Sequence, residues 1–302
     1  MTTPCSDPST RGHASQCEGC PSRAQCQSGQ APAGPNPDVL AVKERLRNVK
    51  HIILVLSGKG GVGKSTIAAQ LAFFLSQKYD TALIDIDLCG PSALTLTGTA
   101  GQEVHQCNSG WIPVYARDRL AVMSIGYLLQ NPDDAVIWRG PRKAGLIRSF
   151  LKDVEYGELD YLVIDTPPGT SDEHLTILDY LGSIPRTSAV VVTTPQEMSM
   201  SDVRKELSFC QKVNIPVIGV VSNMDGFVCP KCSECTSIFE SKISNPEQMA
   251  ISFNVPYLGK LPLDPRLMNA CESGRPYFEI ASDSVGCLAM QQIVDKIVDK
   301  AL

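Results

Sequence analysis

The sequence predicts an α/β fold in which helices wind over both faces of a mostly parallel sheet. The first observation is a series of short apolar runs with the length of buried strands, such as Ile52–Leu56 and Tyr161–Asp165. The second is the helix spacing of apolar residues after the first run, from Ile67 to Leu75. The third is the glycine-rich turn that joins this strand to this helix. Strand and helix signals alternate along the chain, which is typical of a parallel sheet.

Five further segments are predicted to complete the sheet. Four of them are apolar runs and the last is a strand followed by a loop: Thr81–Ile86, Leu120–Ser124, Ala189–Thr193, Val217–Ser222 and Val255–Pro265. A polar stretch, Gln102–Pro113, predicts a β-hairpin excursion. Amphipathic spacing predicts a short helix over Asp38–Lys50 and a closing helix over Val285–Leu302.

Composition narrows the class of protein. The 302 residues are 43% hydrophobic and carry a net charge of −5, which argues against non-specific nucleic-acid binding. We find no run of 18 apolar residues, so we expect no membrane span. The start, MTTPCSDPST, lacks the basic and apolar regions of a secretory signal. We therefore expect a cytoplasmic protein with reduced thiols, in which twelve cysteines include metal ligands rather than disulfides.

The first 37 residues are predicted to form an extension separate from the domain at 38–302. They have almost no large aliphatic residues and cannot build a core. Four thiols fall here with the spacing C-x11-C-x2-C-x5-C: Cys5, Cys17, Cys20 and Cys26. A metal is the simplest way to order such a segment. The spacing leaves three interpretations open, namely a [4Fe–4S] cluster, zinc and a tail without a ligand.

The glycine-rich turn fits a phosphate chain. Glycines let backbone N–H groups wrap an anion, and the following helix adds its N-terminal donors. Lys64 is expected to neutralise the β and γ phosphates, and Ser65 to hold Mg²⁺. We call residues 58–66 the glycine loop and expect all of it to contact ATP: Gly58, Lys59, Gly60, Gly61, Val62, Gly63, Lys64, Ser65 and Thr66.

Acidic residues end two of the predicted strands. Asp85 and Asp87 follow one strand, at the edge where open α/β sheets bind ligands, although a helix cap is the local alternative. Asp165 ends another strand in the pattern that holds the Mg²⁺ water shell. Gly169 then allows a backbone N–H to approach the γ-phosphate. Asn223 follows a later strand, where a turn residue is the local alternative.

A second group of thiols lies near the C-terminus. Cys229 and Cys232 have the C-x2-C spacing of a metal chelate, but no second pair follows them. Two protomers that each supply this pair would bring four thiolates together around one exposed, transferable [4Fe–4S] cluster. Cys235 is the odd thiol, and Cys271 and Cys287 are expected to be ordinary thiols of the core or surface.

Several motifs resemble known families. KGGVGKST is similar to the altered P-loop, or deviant Walker A motif, of the MinD/ParA/NifH-like ATPases. Over residues 38–290 the chain resembles the Mrp/NUBP family. The resemblance rests on this motif together with five others: DIDLCGPS, WRGP, DTPPGTSDEH, TTPQE and GFVCPKC. The N-terminal cysteines match its longer branch, the nucleotide-binding-protein-1-like scaffold of cytosolic iron–sulfur assembly.

The resemblance implies roles for three residues. Lys59 would reach across a nucleotide-sandwich dimer, Asp87 would position the attacking water, and Asn223 would read the adenine edge. It also implies an ATP- and Mg²⁺-dependent scaffold that passes [4Fe–4S] clusters to cytosolic and nuclear apoproteins. Each chain would carry one N-terminal cluster, and each dimer one bridging cluster. The implied partners are a second copy, a shorter paralogous ATPase in a heterotetramer, apoprotein targets and downstream targeting factors.

The sequence is also compatible with a class of protein other than a cluster scaffold. A positioning or partition ATPase with structural zinc shares the glycine loop, but such proteins usually carry a membrane-targeting tail or a basic DNA-binding face. The last predicted helix mixes acidic and basic residues and fits neither. On the scaffold hypothesis, Lys64→Ala or Asp87→Ala is expected to block cluster handling without unfolding the protein.

Overall fold

The computed structural model describes residues 36–88, 90–129, 140–229, 235–239 and 245–301. By its internal contacts the chain divides into two units, residues 1–40 and residues 41–302. The second unit contains the sheet and the glycine loop. Cys5, Cys17, Cys20, Cys26 and Cys232 lie outside the described residues.

The elements are numbered in chain order over the described residues. The strands are β1 (Val49–Ser57), β2 (Thr81–Asp85), β3 (His105–Cys107), β4 (Gly110–Ile112), β5 (Val114–Arg117), β6 (Leu120–Ser124), β7 (Leu159–Asp165), β8 (Thr187–Thr193), β9 (Val217–Ser222), β10 (Phe227–Val228), β11 (Cys235–Thr236) and β12 (Tyr257–Lys260). The helices are α1 (Pro37–Arg45), α2 (Lys64–Ser76), α3 (Ala93–Thr97), α4 (Gly140–Lys152), α5 (Asp172–Leu181), α6 (Glu197–Lys212), α7 (Pro246–Ser252), α8 (Pro265–Glu272), α9 (Tyr277–Ala281) and α10 (Val285–Ala301). A 3₁₀ turn, Ile125–Leu128, follows β6.

Eight strands form the main sheet in the order β12-β9-β8-β1-β7-β2-β6-β5. All neighbouring pairs are parallel except β5 and β6. The predicted mostly parallel α/β sheet is therefore confirmed. The antiparallel edge arises because only the short turn Asp118–Arg119 joins β5 to β6, whereas a parallel pair needs a long crossover. The predicted hairpin excursion is present as β3 and β4.

Helices cover both faces of the sheet. Along β1, Ile52, Leu54 and Leu56 pack on the face that carries α4 to α7, whereas Ile53 and Val55 pack on the face of α2 and α8 to α10. Such alternation follows from the two-residue period of a strand. All five side chains are buried, and each such burial stabilises the fold by about 1.5–3 kcal/mol. The central strands are apolar on both faces for this reason.

The boundaries of several elements differ from those that the sequence predicts. β1 and β7 begin two or three residues earlier than the apolar runs, because Val49 and Leu159, buried and in register with each other, extend the pairing beyond the polar residues that precede each run. The helix predicted over Asp38–Lys50 ends at Arg45, and Val49 already belongs to β1. Cys271 and Cys287 are buried, as expected for ordinary core thiols. Among the described residues, no helix is long and apolar enough to cross a membrane.

Candidate functional site

The glycine loop lies at the carboxyl edge of the sheet, because it follows β1 directly. β7 and β2 end beside it: Val55 is in register with Asp165, which is in register with Asp85. Asp85 and Asp165, which are 80 positions apart in the sequence, therefore lie opposite each other on adjacent strands. Parallel strands place all their carboxyl ends at one edge, and the strand-end aspartates meet there for that reason.

Two glycines of the loop have geometry that no larger residue fits. Gly63 has a φ of 82° and stands at the N-cap of α2, and a Cβ there would lie 2.2 Å from Nδ2 of Asn223. Gly58 touches α6, because a Cβ at that position would lie 2.5 Å from the backbone carbon of Asp202. The glycine loop is thus closely packed between the turn after β9 and helix α6.

Lys64 is almost fully buried, with 5% of its surface exposed. Its ammonium is hydrogen-bonded to Oδ1 of Asp165 and lies 3.2 Å from Oγ of Ser65. Burial raises the pKa of Asp165, and the charge of Lys64 opposes that rise. Lys64, expected to neutralise the phosphates, and Asp165, expected to hold the Mg²⁺ water shell, thus form a buried ion pair with each other.

Asp85 is held by backbone donors. Its carboxylate accepts the N–H groups of Asp87, Ser92 and Ala93 at 3.0–3.1 Å and the hydroxyl of Ser124 at 3.3 Å. Burial, with the nearby charge of Asp165, raises its pKa to about 7. Asp85 therefore caps α3, which is the local alternative that the sequence allowed for an aspartate at this strand end. Asp87, two residues later, is half-buried, and its hydrolytic role stays a prediction.

The segment after β7 is bonded to the strand that carries the glycine loop. The Gly169 N–H donates to the Ser57 carbonyl at 2.8 Å, and the Thr166 hydroxyl donates to the Val55 carbonyl at the same distance. Gly169 has a φ of 74°, so glycine meets a backbone requirement here. A shift of Gly169 toward a γ-phosphate would change its bond to Ser57, which fits the predicted sensing role.

His174, which the sequence analysis did not identify, positions the start of α5. Its Nδ1 accepts the Ser171 N–H at 3.2 Å and so caps α5 directly after this segment. Burial lowers its pKa to about 4, and the ring is neutral at physiological pH. The spacing S-x-x-H has the form of a capping box with histidine in place of glutamate, which is the signal that would have found it.

Asn223 and Lys59 are both near the glycine loop but differ in their contacts. Asn223 is buried and donates its side-chain amide to the Val62 carbonyl at 2.9 Å. Lys59 is half-buried, and its ammonium has no hydrogen-bonding or ionic partner within the described part of the chain. Ser65 and Thr66, at the start of α2, are also half-buried.

Cys229 directly follows β10, the first strand of the hairpin that β10 forms with β11, and is half-buried. The backbone register pairs Val228 with Cys235, so the hairpin brings the chain at Cys235 back beside the chain at Cys229. The structure therefore brings together the glycine loop, Asp165 and Asn223, and connects them through a short segment to Cys229. It does not describe the partner thiol Cys232.

The described residues contain no group of three or more His, Cys, Asp or Glu side chains arranged to hold a metal. Mg²⁺ does not need one, since it is usually bound by one or two protein oxygens together with nucleotide phosphates and water. The Ser65 hydroxyl and the Asp165 carboxylate both lie beside the Lys64 ammonium and are oxygen ligands of that type. These two residues fit Mg²⁺.

Comparison with known proteins gives a consistent result. The family model described as "ParA: NUBPL iron-transfer P-loop NTPase" matches residues 48–298. A nucleotide-binding protein of Archaeoglobus fulgidus, solved with ADP and containing cobalt, is 35% identical; the match covers 79% of this chain and 92% of that one, with a TM-score of 0.68.

Two more distant structures share the fold. The septum site-determining protein MinD of Pyrococcus horikoshii, solved with Mg-ADP, is 19% identical over 82% of this chain and 95% of that one, with a TM-score of 0.58. The McdA(D38A)–ATP complex of Cyanothece is 14% identical over 84% and 96% of the two chains, with a TM-score of 0.56. At these identities the likeness concerns the fold alone.

Proposed function

Because the chain belongs to the family of NUBPL-type iron-transfer P-loop NTPases, we propose that it is an ATP-dependent scaffold that assembles [4Fe–4S] clusters and transfers them to cytosolic and nuclear apoproteins. Family membership makes the chain a P-loop NTPase of the ParA type, and the predicted ATPase class is confirmed. The cluster is the cargo in this proposal, and ATP hydrolysis controls when it is held and when it is released.

The observation that carries the proposal is the short connection between the nucleotide site and a thiol. Asn223 is bonded to the glycine loop, and Cys229 follows it by only six residues in the sequence. The intervening segment is fixed at Asp225, whose N–H donates to the Leu261 carbonyl at 2.8 Å. A movement of the glycine loop on ATP binding would therefore reach the cluster-binding thiol through a few residues of restrained backbone.

The nucleotide chemistry in the proposal follows from the residues at the sheet edge. The glycine loop binds the phosphates, and Lys64 exchanges Asp165 for the β and γ phosphates. Ser65 would hold Mg²⁺, and Asp165 would hold the water shell of the ion. Asp87 orients the attacking water. Mg²⁺, when bound, neutralises charge that develops on the phosphates.

The proposed working unit is a dimer. One chain supplies Cys229 and Cys232, which is half of the four thiolates that a [4Fe–4S] cluster needs, so two copies complete the site. The half-buried ammonium of Lys59, without a partner in the described chain, is available to a neighbouring nucleotide. The proposal also includes a second cluster on Cys5, Cys17, Cys20 and Cys26, and a heterotetramer with a shorter paralogous ATPase.

Cys229→Ser is expected to remove the transferable cluster and weaken dimerisation. Anaerobic reconstitution of the wild-type protein should give broad absorption near ~400 nm, and the variant should lose about four iron atoms per dimer. Cys107→Ser is the matched control, because that thiol is bonded to Ser109 and Gly110 on the separate hairpin of β3 and β4. A colourless protein that binds only zinc would instead support the positioning-ATPase alternative, and equal loss of iron from both cysteine groups would contradict the two-site scheme.

Lys59→Ala by itself is expected to abolish ATP hydrolysis. Mixing this variant with a second inactive variant, Asp87→Ala, is expected to restore part of the activity. In a mixed dimer, the site that retains Asp87 receives Lys59 from the other subunit. Random mixing should therefore restore about a quarter of wild-type ATPase activity, because half of the dimers are mixed and each has one complete site. If Lys59 acts on its own subunit's nucleotide, mixing restores nothing. Steady-state phosphate release from mixtures at varied ratios measures the difference.

A further inference from the structure

The turn after β9, residues 222–225, reaches from the sheet to the glycine loop. The Asn223 N–H donates to the Thr193 carbonyl at 2.8 Å, which anchors the residue to the end of β8. Its side-chain Nδ2 donates to the glycine loop, at the Val62 carbonyl, over 2.9 Å. Only 4% of Asn223 is exposed, so water competes poorly for this bond.

The acceptor of this bond lies in the middle of the glycine loop. Val62 is flanked by Gly61 and Gly63, both with φ near 80°. A loop that binds an anion presents its N–H groups to the ligand, and a carbonyl turned to the same side would repel the phosphates. The bond from Asn223 fixes the direction of the Val62 carbonyl, and an oxygen that is already bonded there would not turn toward the phosphates.

The side chain of Asn223 also fills the space against the loop. A Cβ at Gly63 would lie 2.2 Å from Nδ2, so the amide and the loop are in direct contact. In the turn that carries the amide, Met224 has a φ of 55°, a conformation that a non-glycine residue seldom adopts. Ser222 donates its hydroxyl to Asp225 at 2.7 Å, which stabilises the turn in this form.

We infer that Asn223 is a positioning residue for the phosphate-binding loop, and that it supports phosphate affinity whether or not a base is present. This role is separate from the reading of adenine that the family resemblance implies for the same residue. The inference rests on the proposed nucleotide site. It also makes the residue that follows β9, six positions before Cys229, a direct contact of the loop that ATP occupies.

Inorganic tripolyphosphate tests the inference, because it has the phosphate chain of ATP and no base. Binding of Mg-tripolyphosphate and of Mg-ATP to the full-length protein would be measured by calorimetry for the wild type and for Asn223→Ala. Loss of one neutral hydrogen bond predicts that tripolyphosphate binds about 2–10-fold more weakly, and ATP at least as much more weakly. Asn223→Ser, a milder change, provides the same comparison if the alanine variant does not fold.

The control is Asn269→Ala, which removes an exposed amide on α8 and should leave both affinities unchanged. If Asn223→Ala weakens ATP but leaves tripolyphosphate at the wild-type affinity, the residue reads only the base and the inference is overturned. Unchanged affinity for both ligands overturns it as well. A wild-type protein that binds neither ligand would refute the nucleotide site itself, a result distinct from the failure of the inference alone.

Discussion

Lys64→Ala is expected to lower the ATP turnover number by at least about 10²-fold and to destabilise the folded protein by about 3–5 kcal/mol. The loss of turnover follows from removing a charge that meets the phosphates. The loss of stability follows from the buried pair, because Asp165, 3% exposed, would lose the charge that opposes the burial-driven rise of its pKa and would have to stay buried without its partner. Urea unfolding without nucleotide, together with steady-state phosphate release, measures both effects.

Two variants separate these effects. In the double variant Lys64→Ala/Asp165→Asn, the unpaired carboxylate is gone, so most of the stability should return while the ATPase stays inactive. Lys59→Ala should have no effect on unfolding, because its ammonium has no partner among the described residues. The sequence alone predicts that Lys64→Ala silences the protein without unfolding it, whereas the structure adds a stability cost. An unchanged unfolding free energy in Lys64→Ala would show that the buried pair does not contribute.

Glu206→Gln is expected to stabilise the protein at neutral and alkaline pH. Glu206 is 1% exposed on α6, and neither carboxylate oxygen has a hydrogen-bond partner in the part of the chain that the structure describes. Burial alone raises its pKa from 4.5 to about 7. The folded state therefore holds a proton that the unfolded state releases between these two values, and the stability of the wild-type protein falls as pH rises through this window.

The size of the effect follows from the shift. At 1.36 kcal/mol for each pKa unit, the charged form costs the folded protein about 3 kcal/mol above pH 7. Glutamine cannot ionise, so the difference in unfolding free energy between variant and wild type should grow from pH 4.5 to pH 7 and then stay constant. Glu272→Gln, at an exposed position on α8, should show no such change. A difference that does not vary with pH would mean that the pKa of Glu206 is the same in the folded and the unfolded protein.

Much of the site was predictable because its signals are local. Glycine spacing, an apolar run before it and helix periodicity after it lie within a few turns of chain, and they identify the loop without any knowledge of strand order. The same holds for Asp165 at the end of an apolar run. Glu206 also had a signal, since it falls three residues after Val203 and four before Cys210, on the apolar face of its helix.

The sequence by itself determined the sheet, the glycine loop and the strand ends that surround it, because periodicity and backbone requirements are properties of neighbouring residues. Only the tertiary structure decided which polar group meets which. Asp85 and Asp87 are two residues apart, yet only Asp85 is fully buried, where it caps α3. Asn223 meets Val62 across 161 residues of sequence. Such partners depend on β1 standing between β7 and β8, and strand order is fixed by the packing of the whole core rather than by any local pattern.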